Sequence, residues 1–252
     1  MAARTWLRLC AVALIAIGIA ACGPGYAQAQ TVPAAKVLAP LPPDVAFARF
    51  IALIRGHLLT GEELVARRQW DAARPHFSFP TEEIYGVIRG DLRSYKTPPF
   101  DGALKSLARA VKSHSTRQYP AALRKAKSAL AAADAGLKAR QPDWARFQVK
   151  VAVEVLKTAP DEFEDAVAGG HIVRPIGYQT ARGFILQADR MFESVADEFA
   201  GGNADALAEI RAGFTRLKAA FASVNAPRQP ALDGPAVLGI VAAIESAAGK
   251  LG

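Results

Sequence analysis

Residues 56–85 read GHLLTGEELVARRQWDAARPHFSFPTEEIY, and polar side chains of chemical interest are denser here than elsewhere in the chain. The stretch holds two of the four histidines and two pairs of glutamates. Apolar residues lead into it at alternating steps of four and three, which predicts an amphipathic helix. Because His57 lies on the apolar side of that helix, its ring should face neighbouring packing. The predicted stripe is Phe50, Ile54, His57, Gly61 and Leu64.

The second half of the stretch contains two prolines, which predict a turn between helices. Pro75 disfavours helical geometry at Arg74, so the first helix should end there and His76 should lie in a short connector. After the second proline, Thr81 is the predicted N-cap of the next helix. The glutamates that follow would then lie in its first turn, where carboxylates interact favourably with the helix dipole.

Imidazole and carboxylate side chains together are common ligands of zinc, iron and copper. One hypothesis therefore places a divalent metal at this helix–turn–helix junction. The alternative is that the imidazoles are packed, hydrogen-bonded residues and the glutamates stabilise helix ends, since no compact motif such as His-Glu-x-x-His is present. The candidate metal ligands are His57, His76, Glu62, Glu82 and Glu83.

The first 30 residues have the pattern of an export signal. Arg4 and Arg8 precede an apolar run over residues 9–19, which is too short for a comfortable membrane span of about 20 residues. Ala27-Gln28-Ala29 resembles a signal-peptidase site, whereas residues 19–22 resemble a bacterial lipobox that would lipidate Cys22. Both alternatives predict a protein of the periplasm or cell envelope, and the second predicts a membrane-anchored lipoprotein.

Three segments are predicted along the chain: a leader (1–30), an extended Ala/Pro-rich linker (31–43) and a helical bundle (44–252). A similarity between residues 79–83 and 159–163 suggests that the bundle has two related halves meeting near residue 142. The two cysteines, Cys10 and Cys22, both lie in the leader, so the bundle has neither a disulfide nor a thiol nucleophile.

Apolar steps of three and four dominate the chain from residue 44 onwards, which predicts an all-α antiparallel bundle of about seven to eight helices. Asp143 and Asn203 are predicted N-caps. Alternating valines at 149–155 also fit a strand, but no partner strand is evident. No segment has a convincing hairpin signal.

The formal net charge of +8 is unevenly distributed. Residues 102–133 contain no acidic side chain, which predicts a basic face that could attract an anionic membrane surface or an acidic envelope protein. The alternative is a set of ordinary solvated helix faces. Nucleic acid is excluded as a partner outside the cytoplasm. The basic residues proposed for a membrane contact are Lys105, Arg109, Lys112, Arg124, Lys125 and Lys127.

A second polar cluster lies in residues 169–184, where Gln179 and Arg182 flank the apolar stripe of Tyr178. Glu154 borders an apolar face of the preceding long helix and is expected near Arg182. These four residues form a candidate ligand site for an anion or a metal-bound ligand. The alternative is an inter-helix salt bridge with supporting hydrogen bonds.

Two patches resemble a known family. Gly-Gly-His-Ile-Val at 169–173, with Tyr-Gln-x-Ala-Arg-Gly-Phe at 178–184 and His-Leu-Leu at 57–59, resembles the exported imelysin and iron-uptake EfeO-like helical bundles. The resemblance implies a periplasmic bundle of paired helices that attends metal uptake. The His-x-x-Glu of that group occurs at none of the four histidines, so no metal ligand is carried over.

No Gly-x-Ser-x-Gly motif and no glycine loop that would cradle phosphate is present, so catalysis is not predicted. The sequence favours an exported bundle that binds a ligand, with a divalent metal or iron as the favoured ligand. The alternative function is a non-catalytic structural or interaction module that docks an envelope partner or an anionic membrane.

Overall fold

The computed structural model describes residues 40–251, of which those from Leu41 onwards belong to one compact unit. The prediction of an all-α bundle is confirmed. The predicted leader, with its alternative cleavage sites after Ala29 and at Cys22, and most of the predicted linker lie outside the described residues. The helices are α1 (Pro43–Ala66), α2 (Trp70–Phe79), α3 (Tyr85–Ile88), α4 (Asp101–Lys112), α5 (Tyr119–Lys138), α6 (Trp144–Leu156), α7 (Ala159–Ala166), α8 (Pro175–Glu193), α9 (Ala204–Ala220) and α10 (Gly234–Gly249).

Helix α8 is the central element of the bundle. It packs against α1, α6 and α7, and residues 177–185 are buried without interruption. Such all-round burial explains why polar residues of α8 lie inside the protein, not along one edge of an apolar stripe. Helices α4 and α5 pack against each other, as do α9 and α10.

Two glycines allow α1 and α8 to approach closely. A Cβ atom added at Gly183 would lie 2.5 Å from the backbone oxygen of Gly56 and 2.5 Å from Oγ1 of Thr60. A Cβ atom added at Gly56 would lie 2.7 Å from the ring of Phe184. The missing side chains therefore bring the two backbones together and place His57, the residue after Gly56, beside α8.

Helix ends follow local sequence signals. The side chains of Asp143 and Asn203 accept hydrogen bonds from the backbone N–H groups of Arg146 and Ala206, so both predicted N-caps are confirmed. Arg68 and His114, with φ of 61° and 50°, adopt the left-handed conformation that ends α1 and α4.

The predicted turn at Pro75 is wrong. Pro75 lies inside α2, which continues to Phe79 and buries Ala73, His76 and Phe77. Burial of these side chains outweighs the backbone hydrogen bond that a proline cannot donate. Thr81 is not an N-cap either, because α2 passes directly into a π-helical turn at Pro80–Ile84.

A small hairpin also differs from the sequence prediction. Val167–Ala168 and His171–Ile172 pair as two antiparallel strands around Gly169 and Gly170, both of which have positive φ. It is the only β-structure within residues 40–251. The valines at 149–155 are helical, as the lack of a partner strand predicted. None of the helices in the described part combines the length and the apolar character needed to cross a membrane.

Candidate functional site: a buried histidine pair

Three buried polar side chains form a continuous chain of contacts between α1, α2 and α8. Nδ1 of His57 lies 3.3 Å from Nδ1 of His76. Nε2 of His76 lies 3.2 Å from Oε1 of Gln179, whose Nε2 donates to the backbone carbonyl of Val224 at 3.1 Å. The histidines are at most 1 % exposed. The structure thus brings together two candidate metal residues and one candidate ligand residue.

The hydrogen-bond partners determine where the ring protons lie. The carbonyl of Val224 only accepts, so it orients the amide nitrogen of Gln179 towards itself and the amide oxygen towards His76. That oxygen also only accepts, and Nε2 of His76 therefore carries a proton. In the neutral ring Nδ1 of His76 is then an acceptor, so Nδ1 of His57 donates and Nε2 of His57 keeps a lone pair.

Burial keeps both imidazoles neutral. It holds the pKa of His57 well below 6.5, and the neighbouring His76 lowers that pKa further. Burial also lowers the pKa of His76 to about 4, although the hydrogen bond with Gln179 opposes the shift. The rings of Phe79 and Phe184 pack edge to face with the ring of His57, at centroid distances of 5.9 and 5.3 Å. An imidazolium in this aromatic environment is costly because it loses hydration.

We expect the stabilising contribution of the histidine pair to decrease as the pH falls from about 7.5 to about 5. Both folded-state pKa values lie below the unfolded value of 6.5, so protons bind preferentially to the unfolded chain below that pH. The stabilisation is complete above pH 6.5 and decreases towards pH 4. The difference in the free energy of unfolding between the wild type and a variant without the pair should fall by about 2 kcal/mol or more, as measured by urea unfolding across this range.

The double variant His57→Asn, His76→Gln should lose less stability on acidification than the wild type. His114→Asn is the matched control, because His114 lies at an exposed turn, and it should keep the wild-type acid response. An unchanged acid response in the double variant would show that the pair does not cause it.

Arg182 forms the second part of the buried network and caps the end of α9. Its Nε donates to the carbonyl of Phe221 at 2.8 Å and its Nη2 to that of Ala222 at 3.4 Å. Its Nη1 forms an ion pair with Glu63 on α1 at 2.7 Å. Since α9 ends at Ala220, the guanidinium lies at the negative end of the helix dipole. Arg182 therefore links the end of α9 and helix α1 to the central helix, α8.

The three candidate glutamates are not brought into this network as metal ligands. Glu62 pairs with Lys127 at 2.7 Å, and Glu82 and Glu83 are exposed on the π-helical turn. The side chain of Glu62 points away from this network. Glu63, the next residue along α1, lies on the side of the helix that faces α8. Within residues 40–251 no three His, Cys, Asp or Glu side chains are grouped so that they could hold a metal ion.

The second predicted cluster is also divided. Tyr178 is buried and stacks on Phe221 with ring centroids 5.0 Å apart. Glu154 does not approach Arg182: its carboxylate pairs with Lys157 at 3.1 Å. The expected Glu154–Arg182 contact is therefore wrong, because Glu154 lies on a partly exposed side of α6 and Glu63 takes its place.

Sequence reasoning missed Thr60 and the role of Glu63. Thr60 is fully buried, and its Oγ1 donates to the backbone oxygen of Gln179 at 3.1 Å. Thr60 and Glu63 are three residues apart and so share one side of α1. The threonine and the glutamate at this spacing were the signal available in the sequence that this side of α1 contacts a polar helix.

Glu162 on α7 is a half-buried ionisable group. Burial, with the nearby charges of Asp165 and Asp161, raises its pKa to about 8. The raised pKa means that ionisation of Glu162 opposes folding between pH 4.5 and 8, so the contribution of this residue lowers stability as the pH rises through this range. In Glu162→Gln the side chain at this position cannot ionise. The free energy of unfolding of this variant, relative to that of the wild type, should therefore increase by about 1–2 kcal/mol between pH 5 and pH 8.

Urea unfolding at both pH values measures this effect. Glu164→Gln is the control on the same helix, because Glu164 is exposed, and its stability relative to wild type should change little with pH. If the stabilities of Glu162→Gln and Glu164→Gln changed equally with pH, the pH effect could not be assigned to Glu162.

Comparison with known proteins gives one informative match. Residues 138–251, from the last residue of α5 to the end of the described chain, match the family profile of the iron permease-associated 4-helix bundle domain. No curated protein and no solved structure shows significant similarity to the chain. The match supports an iron-related helical bundle and does not specify the imelysin or EfeO-like group. Over α6–α10 the chain is therefore similar to the helical bundle domain that is associated with iron permeases.

Proposed function

We propose that this protein is a non-catalytic accessory of an iron permease in the cell envelope. The similarity of residues 138–251 to the iron permease-associated bundle carries the proposal. The leader, with its candidate lipidation site at Cys22, supports a location in the envelope. Gln179 and Arg182 bind the matched region to α1 and α2 through buried contacts, which supports a role for the whole bundle.

The buried histidine pair lacks the donors that iron selects. Non-haem ferrous sites commonly combine two histidines with a carboxylate and leave open positions. Glu63, the carboxylate of the adjoining ion pair, is already held by Arg182 and Arg67. Since no three-donor group occurs among the described residues, we assign the accessory role to the surface of the bundle and not to iron held in its core.

Iron uptake by whole cells tests this proposal. Removing the protein from its host should lower the initial rate of iron uptake several-fold under iron limitation, and the wild-type chain supplied in trans should restore it. An uptake rate that stays unchanged, with the permease present at its normal level, would contradict the proposed role.

A second candidate function is binding of a divalent metal such as zinc by the two imidazoles, and one distance favours it. Two nitrogen ligands of a tetrahedral zinc ion, each about 2.0–2.1 Å from the metal, are about 3.3–3.4 Å apart. The Nδ1 atoms of His57 and His76 are 3.3 Å apart, and both would present lone pairs to an ion once the proton of His57 moved from Nδ1 to Nε2. Gln179 accepts from Nε2 of His76, as outer partners of metal-bound histidines do.

Titration with Zn²⁺ and Co²⁺, followed by calorimetry and visible absorption, tests this candidate. It predicts about one ion per chain. Binding should be lost in His57→Asn, His76→Gln and kept in His114→Asn. If the titration produced no heat, or if the two variants bound the ion equally, this candidate function would be rejected.

A further inference from the structure

The positive charge of the protein is concentrated on one helical hairpin. Residues 102–133, which cover α4 after its first residue, Asp101, and most of α5, contain seven Lys and Arg residues and no acid. The rest of the chain has the other 24 of the 31 basic residues against all 23 acidic ones. Nearly all of the net charge of +8 therefore comes from this hairpin.

Most of these cations are not neutralised within the bundle. Lys105 pairs with Asp101 and Lys127 pairs with Glu62. The other five are exposed and form no ion pair with any described residue. A surface of this kind keeps a strong positive potential, which attracts an anionic partner. The five residues, named here the basic face, are Arg109, Lys112, Arg117, Arg124 and Lys125.

An open aromatic pocket of about 560 Å³ adjoins the basic face at the turn between α4 and α5. Trp70 and Tyr119 meet edge to face there, with ring centroids 5.6 Å apart. His114 stacks on Trp70 at 5.7 Å, and its Nε2 lies 3.3 Å from a carboxylate oxygen of Asp71. The lining residues are Val65, Ala66, Arg68, Trp70, Thr116 and Tyr119.

We propose that the basic face and this pocket bind an anionic phospholipid surface. Rows of Lys and Arg attract acidic head groups, and half-buried Trp and Tyr are the residues that settle at the boundary between head groups and acyl chains. None of the other exposed residues between Arg109 and Lys125 is a large apolar side chain, which gives electrostatic attraction without a shaped apolar groove for a protein; they are Ser113, His114, Thr116, Gln118, Pro120 and Ala121. The inference goes beyond the proposed function, since it concerns membrane binding and requires no iron.

Vesicle co-sedimentation tests the proposal. Residues 31–252 are suitable because the bundle forms its own compact unit from Leu41, and the apolar leader would itself bind lipid. The protein should sediment with phosphatidylcholine vesicles containing phosphatidylglycerol at low salt. It should bind at least about tenfold more weakly at high salt or without the anionic lipid, as electrostatic attraction requires.

Two charge-matched variants separate the basic face from net charge. Arg109→Gln, Lys112→Gln, Arg124→Gln, Lys125→Gln should lose binding to anionic vesicles. Lys150→Gln, Arg190→Gln, Arg216→Gln, Arg228→Gln removes four exposed cations from other helices and loops and should keep it. Equal binding by the two variants, or equal binding of the wild type to neutral and anionic vesicles, overturns the proposal. Retention on immobilised polyglutamate without vesicle binding also overturns it, in favour of an acidic protein partner.

Tryptophan fluorescence tests the role of the pocket. In residues 31–252 the variant Trp144→Phe leaves Trp70 as the single tryptophan. Its emission should shift to shorter wavelength on anionic vesicles and be quenched by brominated lipid. Unchanged emission from vesicle-bound protein overturns the placement of the pocket at the membrane.

Discussion

Replacing Arg182 with Met should lower the free energy of unfolding by about 3–5 kcal/mol, because the change breaks a largely buried ion pair. Met keeps most of the volume but cannot donate a hydrogen bond. The carbonyls of Phe221 and Ala222 would lose their donor, and Glu63 would lose its closest cation. Urea unfolding at neutral pH measures the loss.

Two further variants identify the cause. Arg190 lies on the exposed side of the same helix, so Arg190→Met should change the free energy of unfolding by less than about 0.5 kcal/mol. Arg182→Lys should recover only part of the loss, because an ammonium cannot reproduce the planar set of donors. If Arg182→Met were about as stable as the wild type, the guanidinium would not be the group that links α1, α8 and the end of α9.

Replacing Gly183 with Ala should destabilise the protein by about 2–4 kcal/mol, because the new methyl group must force two packed helices apart. The added Cβ would meet the backbone oxygen of Gly56 and the hydroxyl of Thr60, and the backbone cannot move aside as a flexible side chain would. Thermal or urea unfolding provides the measurement.

Gly239→Ala is the matched control, since Gly239 is exposed within α10 and an added Cβ would meet nothing within 4 Å. This change should stabilise the protein by about 0.5–1 kcal/mol through helix propensity. If both alanine variants changed stability in the same direction, close contact between α1 and α8 would not be the reason for glycine at position 183.

Features that depend on neighbouring residues were predictable from the sequence. The apolar steps of three and four gave the all-α class, and Asp143 and Asn203 cap the helices that follow them. Each of these signals involves residues within one or two helical turns, so the chain outside the segment has little influence on it.

Features that depend on helix crossings were not predictable. Arg182 and Glu63 are 119 residues apart, and only the close approach of α1 and α8 brings them together. Pro75 shows the same limit, because its local preference predicted a turn whereas the burial of His76 and Phe77 keeps the segment helical. The sequence therefore identified His57, His76 and Gln179 as candidate residues, but it did not predict that the amide of Gln179 joins the two histidines to α8.

The metal content of the purified protein tests the central claim most directly. We propose that this bundle, which is similar to the iron permease-associated domain over residues 138–251, acts through its surface and does not hold iron in its core. Elemental analysis of the native protein, purified from iron-replete cells without chelators, should find far less than one iron atom per chain. About one iron atom per chain, retained through gel filtration and lost in His57→Asn, His76→Gln, would contradict the account.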